Sequence, residues 1–351
     1  MRVVVAPDKF AGTLSAVEAA AAIQAGWLDI APEDTLELCP MSDGGPGFLD
    51  AIEAAVGGER LVVDVPGPLG DDVVADVLLV GTTAYIESAM ACGLHLLNAD
   101  EPDPVGASSA GIADLLVTAH SHGATTVVVG VGGTACTDAG VPMLERLREL
   151  TGADDALADQ HLLSGVEILV ATDVDNPLLG HDGAAAVFAP QKGANPGQVR
   201  LLEDRLRTAA AASSIDPHTP GAGAGGGLGH GLFRLGGVRV SGVDTCATAL
   251  ELPSRIATAD LVITGEGSLD HQSLRGKVVS GVARVAQAKA RPVVVLAGRS
   301  LLGRQQASAA GIDEVHTLVD AAGSQEAAMS APFDTLMAVA ASTARAWHDG
   351  T

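Results

Sequence analysis

Aromatic residues are scarce, 2% of 351 positions, so any core must be built from Val, Leu, Ile and Ala. Basic residues are also few: 20 Lys and Arg stand against 43 Asp and Glu, a formal net charge of -23. That balance argues against nucleic acid and anionic membrane surfaces as partners, since both need basic patches. It fits a solvated acidic surface, and any site for an anion must be made positive locally. The four cysteines, Cys39, Cys92, Cys136 and Cys246, form no C-x-x-C pair, as expected of reduced thiols in a cytoplasmic protein. No apolar stretch is long enough to span a bilayer, and the run at residues 3–6, closed by Asp8 and Lys9, is too short for a signal peptide. Several signatures are missing too. Gly276-Lys277 is followed by Val278, so there is no Walker A loop, and there is no H-R-D with D-F-G, no H-x-x-x-H and no G-x-S-x-G.

What remains is a globular composition, 47% apolar and 18% charged, with 43 glycines. Residues 3–6 read as a strand buried on both faces, and Ser15 with Glu18 as a capping box opening a helix. A strand near residues 36–38, a Gly-rich turn and a helix from Phe48 complete a β-α-β-α order, which predicts a parallel sheet. Segments 61–65, 73–80 and 84–87 read as an antiparallel meander. Strands at 125–129 and 167–171 alternate with helices, one of them opened by Asn195-Pro196. The tract 217–237 reads as a long functional loop. Simple α/β order returns with strands at 261–264, 293–296 and 315–318 and a last helix at 332–347. These elements predict two α/β domains. A discontinuous Rossmann-like parallel-sheet domain takes residues 1–60 plus 256–351, and an inserted mixed α/β domain takes 61–255. The cleft between two such domains is the natural place for a ligand.

Several loops at strand ends or helix starts carry candidate chemistry, where open α/β sheets place their ligands. Asp8 and Lys9 follow the first strand, and Asp43-Gly44-Gly45 precedes a helix, where small residues let backbone N–H groups approach an anion. Gly132-Gly133-Thr134 suits a phosphate. Asp173, Asp175 and Asn176 offer hard oxygen ligands of the kind Mg²⁺ accepts, or simply an Asp-rich turn closed by Pro177. Lys192 supplies a nearby cation. Gly221, Gly223 and Gly226 match G-x-G-x-x-G, but residues 216–220 cannot be the strand a dinucleotide fold requires, which leaves an anion-binding or hinge role. Glu266 and Asp270, with Gln272-Ser273 and then Lys277, provide carboxylates for a metal or a base and a cation for phosphate.

In this order the phrases resemble the two-domain bacterial glycerate kinase family: Ala6-Pro7-Asp8 with Gly12-Thr13-Leu14-Ser15, Asp43-Gly44-Gly45, Gly132-Gly133-Thr134, Ala171-Thr172-Asp173-Val174-Asp175-Asn176-Pro177, Pro190-Gln191-Lys192-Gly193-Ala194, the glycines from 221 to 229, and Gly265-Glu266-Gly267 through Lys277. Each phrase is weak alone, and their shared order is specific. The chain departs at Ala11, Pro46 and Ser268, where Lys, Glu and Arg are usual, and segment 151–163 is shorter, so its charged set differs from the family pattern. The resemblance implies transfer of phosphate from ATP to D-glycerate, with C2 favoured over C3, by a cytoplasmic monomer or homodimer. It implies that Gly132, Gly133, Thr134, Gly223, Gly225, Gly226 and Gly227 hold phosphates of ATP. Mg²⁺ would fall to Asp173, Asp175 or Glu266, and the attacking hydroxyl to Asp270 or Asp175. Lys9, Lys192 and Lys277 would neutralise phosphate or carboxylate, and Asp8, Lys9, Asp43, Gly44 and Gly45 would meet the substrate. A kinase for another small hydroxy or sugar acid, or an inactive nucleotide- or anion-binding regulator, is the alternative.

Overall fold

The structure, a computed structural model, describes residues 1–10, 12–98, 102–154, 158–271, 273–274 and 276–349. Ala11 and Gln272, both singled out above, lie outside the described residues, as does part of segment 151–163. The strands are β1 (Arg2–Val5), β2 (Thr35–Leu38), β3 (Glu59–Pro66), β4 (Asp72–Val80), β5 (Thr83–Glu87), β6 (Thr126–Gly130), β7 (Glu167–Ala171), β8 (Val238–Val240), β9 (Leu261–Leu269), β10 (Val293–Ser300) and β11 (Glu314–Thr317). The chain divides into two compact units. One comprises Met1–Ser42, Asp50–Gly57 and Val243–Thr351, and the other Asp43–Leu49 and Gly58–Gly242.

The first unit holds a parallel five-stranded sheet in the order β11-β10-β9-β1-β2. Its central strands, β1, β9 and β10, are apolar on both faces. Val3 and Val5 join Ile23, Trp27, Leu336 and Ala340 in one core, while Val4, Val262 and Val295 are buried as well. Such double burial is what continuous Val-rich runs predict. Ser15 caps helix Ala16–Ile30 and closes the capping box with Glu18, as its spacing requires. From β1 the chain moves to β2 on one side, whereas β9, β10 and β11 lie on the other. The carboxyl ends of β1 and β9 therefore meet at a topological switch point, where open α/β sheets leave room for ligands.

The second unit holds a mixed six-stranded sheet in the order β3-β4-β5-β6-β7-β8. The expected meander is present: β3, β4 and β5 pair antiparallel, and β5 to β8 run parallel. Its core is made of Val127, Val129, Ile168 and Val170 packed with Leu115, Leu116, Leu144 and Leu147, with almost no aromatic contribution.

Three local expectations are corrected. β9 continues to Leu269 instead of ending near Thr264, so Glu266 sits inside a strand, paired with Ala297, and is not displayed on a loop. The extension is possible because β10 runs equally far and because a Cβ at Gly265 would lie 2.2 Å from the Leu296 carbonyl oxygen. Lys277 is the N-cap residue of helix Val278–Ala288 and precedes its first turn. The Gly-rich tract is only partly loop, since Leu228–Arg234 is helical with Leu228 and Leu232 in the core.

Candidate active site

In the first unit the loop after β1 and the end of β9 meet. Asp8 donates its backbone N–H to the Gly265 carbonyl (2.8 Å), and the Thr264 hydroxyl donates to the Ala6 carbonyl (2.7 Å). These bonds hold Asp8, 7% exposed, near Glu266, 8% exposed. Oε1 of Glu266 is buried with no hydrogen-bond partner. Burial, first of all, pushes its carboxyl up to about 7. A hydrogen bond from Ser273 and the Lys277 ammonium pull the other way, while Asp8 and Asp270 push it further up. Asp270 and Ser273 tie their turn together, the Asp270 N–H donating to Ser273 Oγ (3.0 Å) and the Ser273 N–H to Asp270 Oδ1 (3.3 Å). On the neighbouring strand Arg299 donates from Nε to Ser268 Oγ (3.1 Å). The switch point thus gathers Asp8, Glu266, Asp270 and Lys277, four of the sequence candidates, and Lys9 adjoins them.

The second unit gathers a different set. The turn at Asp43, Gly44 and Gly45 lies on the carboxyl edge of the parallel strands. The Gly132 N–H donates to the Gly44 carbonyl (3.2 Å), and a Cβ on Gly132 would come within 2.7 Å of Gly45 Cα. Pro46 lies against Gly133, where a Cβ would meet its ring at 2.7 Å, so this departure from the family pattern has a packing partner. Glu87, at the end of β5 and 6% exposed, accepts from the N–H groups of Gly47 (3.0 Å) and Leu49 (3.4 Å). It fixes the turn that carries Asp43, and sequence reading did not find it. The signal was available, a carboxylate ending an otherwise apolar strand.

A cavity of about 220 Å³ lies beside this turn, walled by Gly132, Gly133, Thr134, Lys192, Gly225 and Gly226 and completed by Thr172, Val174 and apolar neighbours. Three motifs far apart in sequence therefore share one wall. Lys192 is 4% exposed, and Nζ donates to the Cys136 carbonyl (2.6 Å) and reaches Thr134 Oγ1 at 3.5 Å. Burial lowers its ammonium from the ordinary lysine value, opposed by Cys136, Cys92 and Asp138. Gly225, Gly226 and Gly227 all have left-handed φ, +60°, +71° and +92°, and Gly223 turns away through a hydrogen bond to the Asn176 carbonyl (2.9 Å). A Cβ at Gly226 would fall 1.9 Å from the Cys136 oxygen and 2.8 Å from Lys192 Nζ, so a bare backbone alone fits here. No strand precedes this tract, only turns at residues 216–220, as the rejection of a dinucleotide motif required.

Asp173 and Asp175 stand apart from this wall. Neither lines the cavity, Asp173 is half-buried, and Asp175, with its side chain 75% exposed, pairs with Arg239 at 2.5 Å. Asn176 spends its side-chain amide on the Asp182 carbonyl (2.8 Å). Glu266 belongs to the first unit and these two aspartates to the second.

The sequence profile described as the Glycerate kinase family matches residues 3–160 and 144–348 of this chain. The chain belongs to the glycerate kinase family. A protein named glycerate kinase from Halalkalibacterium halodurans is 36% identical, with 99% of each chain covered. One named glycerate 2-kinase from Escherichia coli is 36% identical, covering 96% of this chain and 95% of the relative. Among solved structures, a Salmonella typhimurium LT2 protein provisionally named glycerate kinase 2 superposes with a TM-score of 0.80 at 34% identity, covering 100% of this chain and 99% of its own. The family placement makes the chain a kinase, and a two-unit α/β fold agrees with it. No helix among the described residues is long and apolar enough to cross a membrane.

Proposed function

We propose that this member of the glycerate kinase family transfers the terminal phosphate of ATP to D-glycerate and yields 2-phosphoglycerate. The observation that carries this reading is the cavity of about 220 Å³ in which Gly132, Gly133 and Thr134, the left-handed glycines and buried Lys192 converge. Backbone N–H groups, one hydroxyl and one ammonium bind oxyanions without needing a basic protein surface. Phosphoryl transfer asks little covalent work of the protein. It asks for alignment and charge neutralisation.

In this reading Gly132, Gly133, Thr134, Gly223, Gly225, Gly226 and Gly227 cradle phosphate, and Lys192 neutralises it. Asp43, Gly44 and Gly45, fixed by Glu87, present backbone to the substrate, as Asp8 and Lys9 do in the first unit. Lys277 holds a further anionic group. Asp270, whose turn is fixed by Ser273, accepts the proton of the attacking hydroxyl. Among the described residues no group of three or more His, Cys, Asp and Glu side chains could hold a metal. Mg²⁺ commonly takes one or two carboxylates and completes its shell with water and phosphate oxygens. Glu266, with a buried oxygen lacking a partner beside Asp8, fits that requirement, and Asp173 is the candidate in the other unit. When bound, Mg²⁺ supplies positive charge to the phosphate oxygens. Free buried cysteines support a cytoplasmic setting.

The preference for the C2 hydroxyl rests on the Escherichia coli relative's name. Incubation with ATP, Mg²⁺ and D-glycerate, followed by ³¹P NMR, tests both points. A 2-phosphoglycerate resonance is expected. A 3-phosphoglycerate resonance overturns the regiochemistry alone, and absence of any phosphoglycerate overturns the reading.

A further inference from the structure

The second unit contains another cavity, of about 480 Å³, that shares no lining residue with the phosphate-loop cavity. The two lie on either side of one loop. Residues 131–134 face the first, whereas Thr137 and Asp138 line the second. Much of the wall is apolar, formed by Val105, Val141, Pro142, Leu144 and Ala209. The polar lining residues are Thr137, Arg148, Arg205 and Arg234, with the carboxylates of Asp138 and Glu145 among them.

Thr137 is 2% exposed, and its hydroxyl has no hydrogen-bond partner. Leaving a buried hydroxyl unsatisfied costs about 1–3 kcal/mol, and an oxygen of a bound ligand would satisfy this one. Three guanidinium groups around one cavity also stand out in a protein with a net charge of -23. Two of them are fixed in place: Arg148 and Arg234 share the single carboxylate of Asp159, Arg234 at 2.7 Å. Arg205 donates to the Val105 carbonyl at 2.8 Å. Asp138 offers the cavity little open charge, because its oxygens accept from the N–H groups of Ser109 (2.8 Å) and Gly140 (2.9 Å). Helix Val141–Thr151 starts here with no side-chain cap, so its positive end lies on the Thr137 side of the cavity.

We propose that this cavity is a second small-molecule site, taking an organic acid with an apolar body and one carboxylate head. The body lies along the Val and Leu wall. The carboxylate meets the Arg205 guanidinium and accepts from the Thr137 hydroxyl. A neutral ligand makes no charged contact with Arg205, and a sugar phosphate has no apolar face for the wall. Pockets of this size bury most of a ligand of about ten to fifteen non-hydrogen atoms. Occupancy bears on Thr137 and Asp138, only a few residues along the loop from Thr134 and from the Cys136 carbonyl that Lys192 holds.

Isothermal titration of the intact protein with indole-3-acetate, and with its neutral isostere indole-3-acetamide, tests the site without reading turnover. It therefore succeeds or fails independently of the kinase reading. The acid is expected to bind with a submillimolar Kd and the amide about tenfold more weakly. Arg205→Gln should weaken the acid about tenfold and leave the amide unchanged, and Thr137→Val should weaken the acid about fivefold. Saturating ATP should leave the acid's affinity within about twofold. The proposal falls if no heat appears up to about 5 mM, if acid and amide bind alike, or if Arg205→Gln has no effect. Competitive displacement by ATP would equally sink it, because the cavity would then belong to the nucleotide site.

Discussion

The two units handle charge by opposite means. At the switch point of the parallel sheet the work falls to side chains: Asp8, Glu266, Asp270 and Lys277 crowd together, and one carboxylate oxygen is left buried and alone. Beside the mixed sheet the work falls to backbone. Glycines and a threonine form the wall, and Lys192, the one ammonium lining it among the described residues, is held by a main-chain carbonyl. A side-chain site can be retuned by substitution at modest structural cost. A backbone site cannot, because the chain itself occupies the space where a Cβ would go. In the proposed reading, this is how a strongly acidic protein holds anions.

The sharpest way to break the comparison is Gly226→Ala. The added methyl would lie 1.9 Å from the Cys136 oxygen at φ +71°, so the Lys192–Cys136 contact must open. A loss of at least about 3 kcal/mol in stability, or about 10³-fold in kcat/KM, is expected. Gly180→Ala is the control. It has positive φ (+96°) but nothing within 4 Å, and should cost only about 1–2 kcal/mol. Equal effects for the two would mean that crowding at Gly226 is unimportant.

Glu266→Gln probes the side-chain site through pH. The carboxyl titrates near 7 in the fold and near its ordinary value of 4.5 when unfolded. Between these values the folded state binds more protons than the unfolded one, so stability falls as pH rises through that window and levels off above 7. The full penalty is on the order of 3 kcal/mol. In metal- and nucleotide-free protein, Gln should remove this slope and leave the variant more stable than the parent at pH 8 relative to pH 4.5. Urea denaturation across that range checks it, and an unchanged slope would show that Glu266 is not the strained acid. Lys192→Met comes next, with kcat/KM expected to fall about 30-fold, since a charged contact to phosphate contributes about 2 kcal/mol. Full activity in that variant would remove the cavity from the anion-binding role.

The sequence revealed the two halves unequally. Val-rich strands, the Ser15–Glu18 box and the meander were legible because each is a local pattern with a local cause. The phosphate-loop motifs were also legible as phrases. What no spacing could reveal is that Gly132, Lys192 and Gly226 share one wall, because only tertiary pairing brings them together. Glu266, between Gly265 and Gly267, reads as a loop residue; in the fold Gly265 and Gly298 are what let β9 and β10 approach. Glu87 was hidden for a related reason, as its role depends on a turn some forty residues earlier in the chain.

Asp175 marks the boundary of the comparison. Its motif reads as strongly as any other, yet its carboxylate is 75% exposed and pairs with Arg239, and it lies outside the cavity lining. An exposed ion pair of this kind contributes about 0–1 kcal/mol. Asp175→Asn should therefore shift stability by about 0.5 kcal/mol and kcat/KM by less than about threefold, with the small stability effect vanishing in high salt. Steady-state kinetics at saturating ATP decide it. A fall of 100-fold would mean that Asp175 leaves Arg239 when substrates bind, and that the second unit brings a working carboxylate to the reaction.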